Sequence, residues 1–526
     1  MSEDAGRMAP GGPKPAGVGA IALALAAGVA ASRALGYLRD VLLADRVGAG
    51  GEADAYYAAF QIPDLLNYLL AGGALAIAFI PLYNRVRNAD GDPAAAKLFA
   101  NILGWVAVVS VLGTAALWWY ADALIALQFP RFSPAEHELT VRLTRIVLPA
   151  QVFFLTGGIA RAVLMAHGRF AAQALAPVLY NAAVILGGWW TGTAEGFAWG
   201  VLVGSFLGPF LLAFALLLRS GLPRIGLRIA FDPSLRAYLW LALPLMLGLS
   251  LATVDEWYER WFGGLLATGT VAHLAYARKL MMAPVAIVGQ AVGAALLPVL
   301  ARLHANASEH EFGQTLDRTL QAAVSLALLA AGASFALARP LVEVVYRHGR
   351  FLEADAAAVA AILAVLSFGV PAWVVQQVAA RAFYARGDTW RPMILGSVIA
   401  LVAIPLYLHA GQDHGAPGLA GAGVLAMSLN AVATLAWARW RQASPRLGAF
   451  FASAARALLV ACLSAWAVRA LAGEPAADWS GAAFALARGA SVYAALALGL
   501  GYLLGGPALR GALGRLWQRL VRRPSR

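Results

Sequence analysis

Long apolar runs, broken by short polar or glycine- and proline-rich stretches, recur along the whole chain. Crossing ~30 Å of hydrocarbon takes about 20 mostly apolar residues in a helix. Fourteen runs approach or exceed that length, at approximately 17–44, 55–84, 98–127, 139–166, 172–191, 195–218, 236–263, 270–301, 315–338, 355–384, 392–410, 416–438, 449–471 and 481–505. The longer runs predict tilted or kinked helices. Pro63, Pro149, Pro244, Pro284 and Pro371 are the candidate kinks.

Composition turns this pattern into a class. Of 526 residues, 61% are hydrophobic and 13% charged, against roughly 25% charged in soluble domains. The expected fold is an all-α polytopic membrane protein with about fourteen transmembrane helices. The lone cysteine, Cys462, excludes an intrachain disulfide and a cysteine-based metal site. Residues 1–16 are polar and rich in Gly and Pro, and they read as a cytoplasmic tail rather than a signal peptide.

Charge then orients the helices. Basic residues crowd alternate loops, among them Arg85, Arg87 and Lys97, then Arg219, Arg224 and Arg228, then Arg439, Arg441 and Arg446, and the tail 506–526. Intervening loops such as "TGTAEG" and "GEPAADWS" contain no Lys or Arg. By the positive-inside rule both termini are cytoplasmic and the number of spans is even. Most of the net charge of +13 is therefore topology, and no nucleic-acid motif accompanies it.

An internal match suggests how the spans are grouped. "GGALAIAFIPLYNR" at 72–85 resembles "GQAVGAALLPVLAR" at 289–302, and "RAVLMAHG" at 161–168 resembles "RAFYARG" at 381–387. Two pseudo-symmetric six-helix bundles of the same orientation are expected, at 17–220 and 235–440, with two extra helices at 449–505. Parallel repeats of this kind are typical of transporters.

Ionisable residues inside the apolar runs carry the candidate chemistry. At 100° per residue, Ser32, Arg33, Gly36, Arg39 and Asp40 share about a third of the first helix's circumference. Asp54, Tyr57, Gln61, Asp64 and Tyr68 share about a quarter of the second, and His273, Tyr276, Lys279 and Gln290 about a third of the eighth, with Arg278 alongside. The seventh run carries "TVDEWYER", with Asp255, Glu256, Glu259 and Arg260. Each group has a plain structural reading. Glu256 and Arg260 are four apart and can pair, Asp40 can pair with Arg33, His273 can be a hydrogen-bonded interior histidine, and Tyr56 and Tyr57 can be belt residues. Taken together, stripes on neighbouring spans predict a shared aqueous cavity, because lipid cannot solvate them. Arg33, Arg39, Arg278 and Lys279 would make it cationic and suited to an anion. Arg holds phosphate bidentately, whereas Lys acts as a point charge.

"SRALGYLRDVLLADRVGAGGEADAYYAAFQIPDLL" at 32–66 resembles the opening of the MurJ/MviN lipid II flippases, within the multidrug/oligosaccharidyl-lipid/polysaccharide exporter superfamily. "LAPVLYNAAVILG" at 175–187, "YRHGRFLEADA" at 346–356 and "FYARGDTWRP" at 383–392 also resemble family segments. The resemblance implies a non-enzymatic transporter of the bacterial cytoplasmic (inner) membrane. It would move undecaprenyl-pyrophosphate-linked peptidoglycan precursor, lipid II, from inner to outer leaflet by alternating access, with a polyprenyl-tail groove at 449–505. A monomer is expected, with membrane lipids as its surroundings and no cofactor. Arg33 and Arg39 match first-helix arginines of the family, and Asp54 matches the acidic residue opening the second helix. The substrate-binding set implied is Arg33, Arg39, Asp54, Gln61, Asp64, Asn67, Arg278 and Lys279. The chain departs from the family pattern at Asn67 and Lys279, each in place of arginine, at Gly72 and Met282, each in place of glutamate, and in the added charge of Arg278. Glu259 lies near the acidic residue of a sodium site in some members, but the eleventh span lacks the Asn and Asp that would complete it. Sodium, a proton on Glu259 or Asp255, and the membrane potential thus stand as alternative driving forces. Another polyprenyl-linked glycan, such as an exopolysaccharide or O-antigen unit, is the alternative substrate. A membrane glycosyltransferase is a remoter one, since no DxD, HExxH, G-x-S-x-G or P-loop is present.

Overall fold

The computed structural model describes residues 18–70, 74–221, 226–247, 251–442, 445–471, 478–507, 509–511 and 514. These are mostly helical, and the described residues include no strand. In chain order the first elements are α1 (Val18–Val47), α2 (Gly51–Ala59), α3 (Gln61–Leu70), α4 (Ala74–Trp119), α5 (Ala121–Gln128), α6 (Pro134–Val147), α7 (Ala150–Ala166), α8 (Ala171–Thr191), α9 (Ala194–Ser205) and α10 (Ala213–Arg219). There follow α11 (Pro233–Leu247), α12 (Leu251–Gly263), α13 (Thr270–Val285), α14 (Ala291–Ala305), α15 (Glu309–Ala336), α16 (Ala338–Tyr346), α17 (Glu353–Ser367) and α18 (Val370–Tyr384). The last are α19 (Trp390–Gln442), α20 (Leu447–Ala470) and α21 (Trp479–Leu504). Two π-helical stretches, Phe206–Leu212 and Ala286–Gln290, join α9 to α10 and α13 to α14. Both lie at a proline, Pro209 and Pro284, whose missing N–H interrupts the helical ladder.

Nine helical stretches among the described residues are long and apolar enough to cross a membrane, or ten if α17 and α18, bent by 44°, form one span. Two of the nine lie in α4 and α19. The 46 and 53 residues of these helices would reach roughly 70–80 Å at 1.5 Å per residue, more than twice the hydrocarbon thickness. Each leaves helical geometry at one glycine, Gly91 (φ 81°) or Gly415 (φ 61°). Positive φ is cheap only for glycine. The breaks fall between the expected spans 55–84 and 98–127, and between 392–410 and 416–438. Large apolar side chains stay exposed on the outer faces, including Leu112, Trp119, Trp190, Leu401 and Trp466. In a chain this apolar, such faces meet lipid rather than water.

Within the first half α8 packs on α1 and α9, and α4 on α7. Near the joint after α7, the Tyr83 hydroxyl and the Arg87 guanidinium meet His167 at 3.0 and 3.2 Å. Burial, reinforced by Arg87, lowers the His167 pKa below its ordinary value. Within the second half α15 packs on α18 and α20, α18 on α19, and α20 on α21. The halves meet where α13 and α12 touch α2, and where α16 touches α1. The seventh predicted span, 236–263, divides between them. Its first part, α11, packs on α4 and α3, and its second part, α12, packs on α19 and α13.

Candidate functional site: a charged chamber under a sealed end

Helix α13 begins at Gly269, which has φ 92° and no side chain to cap the helix. The first N–H groups of any helix need acceptors from elsewhere. Asp54 of α2, 215 positions earlier, supplies them. Its Oδ2 accepts from the Gly269 N–H at 2.5 Å and its Oδ1 from the Ala272 N–H at 2.7 Å. The positive end of the helix dipole favours this carboxylate. Further bonds tie the halves together here. The Tyr276 hydroxyl donates to the Gly48 carbonyl at 2.9 Å, the Arg350 N–H to the Asp45 carbonyl at 2.9 Å, and Arg131 to the Leu265 carbonyl at 2.6 Å. Asp54 therefore ties the two halves together at this end, outside the lining of the chamber described next. Its oxygens are already taken by backbone donors.

Below this seal lies a chamber of about 340 Å³ between the halves. Its charged lining consists of Arg39, Asp40, Asp64, Glu256, Glu259, Arg260, Arg278 and Lys279. Four cations thus face four carboxylates, and the expectation of a cationic cavity is corrected to a balanced one. Three networks account for the pairing. Arg39 holds Asp40 at 2.8 Å, and Lys279 reaches the other Asp40 oxygen from across the chamber at 3.3 Å. Arg260 binds Asp64 of the first half at 2.7 Å and its own-helix neighbour Glu256. Arg278 sits between Glu259 and Asp255, each with a contact at 2.5 Å. Tyr56, Tyr57, Phe60 and Tyr180 complete the wall with polarizable ring edges.

The remaining expected residues lie elsewhere. Arg33 donates to Gln290 across the halves at 2.6 Å, outside the chamber lining. Asn67 donates to Gln151 at 2.8 Å, and Gln61 to the Trp257 carbonyl at 3.3 Å. Neither faces the chamber. Asp255 is buried behind Glu259, with the Tyr407 hydroxyl donating to it. Gly72 falls outside the described residues. His273 meets Asp355 at 3.0 Å, as an interior histidine would. Reading helix faces separately missed two partners. Tyr180 and Tyr407 lie on spans without a polar stripe, and only their position as lone tyrosines in apolar runs marks them.

The family model described as lipid II flippase MurJ matches residues 43–503. The chain belongs to the MurJ family. A probable lipid II flippase MurJ of Bdellovibrio bacteriovorus is 30% identical over 78% of this chain and 80% of its own length. The lipid II flippase MurJ of Burkholderia cenocepacia is 32% identical over 72% and 77%. Among solved structures, a lipid II flippase MurJ in an inward closed conformation superposes with a TM-score of 0.76 at 20% identity, covering 95% of this chain and all of that one. An inward-facing multidrug resistance MATE family transporter of the MOP superfamily reaches 0.68 at 15% identity, over 78% of this chain and 94% of its own. Family membership makes this chain a multi-pass membrane transporter, in keeping with its apolar helices.

Proposed function

We propose that this chain flips lipid II, and that the chamber between its halves receives the pyrophosphate and first sugar of the headgroup. The observation that supports this best is the placement of Lys279 and Arg39. They come from opposite halves, line one chamber and share a single carboxylate, Asp40. An entering pyrophosphate offers Lys279 a stronger partner than a carboxylate already held by Arg39, so loading loosens a bond between the halves. Arg39 gives the second phosphate a planar fork. The chamber's ~340 Å³ lies at the low end for a drug-sized ligand, too small for a disaccharide-pentapeptide. Loading therefore requires the halves to part on the unsealed side.

In this reading the chain acts as a monomer in the bacterial inner membrane with both termini cytoplasmic. The sealed end then faces outward and the chamber loads from the inner leaflet. Residues 17–220 and 235–440 are the two bundles that rock, and 449–505 guides the polyprenyl tail. Arg33, on the rim beside Gln290, meets the headgroup before Arg39 does.

The test is complementation of a strain depleted of its own lipid II flippase. The unmodified gene is expected to restore growth, and Arg39→Ala is expected not to, at equal membrane abundance. Replacement of the family's arginines by Asn67 and Lys279 favours a second reading, a flippase for another polyprenyl-linked glycan. Failure of the unmodified gene, with export of such a glycan lost on its deletion, would select that reading.

A further inference from the structure

The two carboxylates of the third network outnumber the one guanidinium they hold. Glu259 grips Arg278 with both oxygens, Nε to Oε2 at 2.6 Å and Nη2 to Oε1 at 2.5 Å. The same Nη2 lies 2.5 Å from Asp255 Oδ2. These three side chains are at most 7% exposed. The Tyr407 hydroxyl of α19 donates to the other Asp255 oxygen, and the Trp373 ring of α18 lies 5.7 Å from the guanidinium. So drawn, the cluster carries one net negative charge out of water. A buried charge without compensation is costly enough that such groups take up a proton instead.

Among the described residues, the surroundings do not supply the missing cation. On α12 itself, Arg260 is committed to Glu256 and to Asp64 of α3. On α13, Lys279 is committed to Asp40 of α1. α2 contributes Tyr57 to the chamber wall, while outside the lining Tyr407 of α19 meets Asp255 and Trp373 of α18 meets Arg278. Arg278 and Glu259 line the chamber, whereas Asp255 does not.

We propose that Glu259 is a proton site that gates Arg278 toward the chamber. A Glu259 oxygen takes one proton from chamber water, loses its hold on the guanidinium, and frees Arg278 to turn to an anion. Return of the proton to water restores the Glu259–Arg278 pair. Asp255, steadied by Tyr407, keeps one contact to Arg278 throughout. Protonation takes the Glu259–Arg278–Asp255 cluster from one net negative charge to neutral at the chamber wall, so proton and anion bind together and, by reciprocity, each promotes the other. This inference rests on the chamber being the pyrophosphate site.

The probe is undecaprenyl pyrophosphate titrated into the full-length protein in detergent micelles, at mildly acidic and mildly alkaline pH. The probe's own titration is common to wild type and Glu259→Gln, so their difference is the protein's. Wild-type affinity is expected to rise about tenfold more on acidification than that of Glu259→Gln, the order of effect of one charge about 12 Å away at an effective dielectric near 20. Glu259→Gln is expected to bind throughout as the wild type does in acid. Calorimetry on the wild type alone, in buffers of different ionisation enthalpy at alkaline pH where the probe is fully ionised, is expected to show uptake of up to about one proton per probe bound. That measurement stands even if the variant does not fold. Equal pH slopes, absence of proton uptake, or loss of wild-type binding when choline replaces sodium would overturn the proton gate and leave the flippase reading intact. Failure of both proteins to bind the probe at any pH would overturn both.

Discussion

The sealed end and the chamber both join the two halves, yet they are made of different bonds. At the seal, a buried carboxylate meets backbone N–H groups, and a phenol and a backbone amide meet carbonyls. In the chamber, the cross-half bonds are ion pairs, Lys279 to Asp40 and Arg260 to Asp64. Backbone donors at a helix end have no alternative partner once buried, so the seal holds until the helices themselves separate. Ion pairs facing a wet space can be exchanged for a phosphate at little cost. The two regions thus divide the labour: one resists opening, and the other yields to a charged ligand.

Removing the seal's central acceptor tests that division most severely. Asp54→Ala leaves two buried N–H groups without an acceptor, each hydrogen bond to a charged group being worth about 1.5–3 kcal/mol. Complementation is expected to fail. With Ala49→Cys introduced in a Cys462→Ala background, labelling by a membrane-impermeant thiol reagent is expected to rise more than about tenfold on adding Asp54→Ala, since ~1.4 kcal/mol already shifts an equilibrium tenfold. Unchanged labelling would show that the seal does not depend on the α13 cap.

A smaller effect is expected in the chamber. Lys279→Ala removes one point charge while Arg39 still neutralises Asp40. Affinity for undecaprenyl pyrophosphate should fall about tenfold, in line with one water-exposed charge a few Å away in a nearly aqueous dielectric. Lys279→Arg should recover most of it, because the headgroup asks for a cation there. If Lys279→Ala binds as the wild type does, the anion sits elsewhere.

The same division explains what could be read from the sequence. The all-helical class and the breaks inside α4 and α19 follow from local signals: apolar runs that stop at 84 and 410 and resume at 98 and 416, either side of Gly91 and Gly415. Placement of Arg39, Asp64, Arg278 and Lys279 at one chamber followed from helical faces, since a polar stripe in lipid must find company. Asp54 shares its face with Asp64 and reads with it, but nearly three further turns along the chain put one at the seal and the other at the chamber. No periodicity gives depth along the axis. The only sign of its partner is a missing feature: the N-cap position of α13, Gly269, offers no side-chain oxygen. The charge balance was hidden for a similar reason. Arg278 looked like a free cation until the 19- and 23-residue separations to Glu259 and Asp255 were closed by packing α13 on α12.

A weaker perturbation sharpens the contrast inside the chamber. Asp64→Asn keeps a hydrogen-bond acceptor for Arg260 and leaves Glu256 as its ionic partner. Asp64 is 41% exposed, and pairs so placed are worth about 1 kcal/mol or less. Transport rate in reconstituted vesicles should change by no more than about fivefold. A loss as deep as that of Asp54→Ala would mean that the chamber's ion pairs, too, are structural closures.

The smallest effect is expected at Arg350, which touches the seal in two ways at once. Its backbone N–H donates to the Asp45 carbonyl at 2.9 Å, while its guanidinium lies 3.6 Å from Glu52 at the rim. The side chain is 64% exposed, so the ion pair is screened and repays little of the side-chain entropy it immobilises. Glu52 in any case keeps the Ala194 N–H at 2.8 Å as a donor. Arg350→Ala removes the guanidinium and preserves the backbone bond, so growth in the complementation assay and labelling of Ala49→Cys should both match the unsubstituted protein. Labelling raised to the Asp54→Ala level would place the strength of the seal in its surface charges, and the contrast between a backbone-held end and an ion-paired chamber would fail at its simplest point.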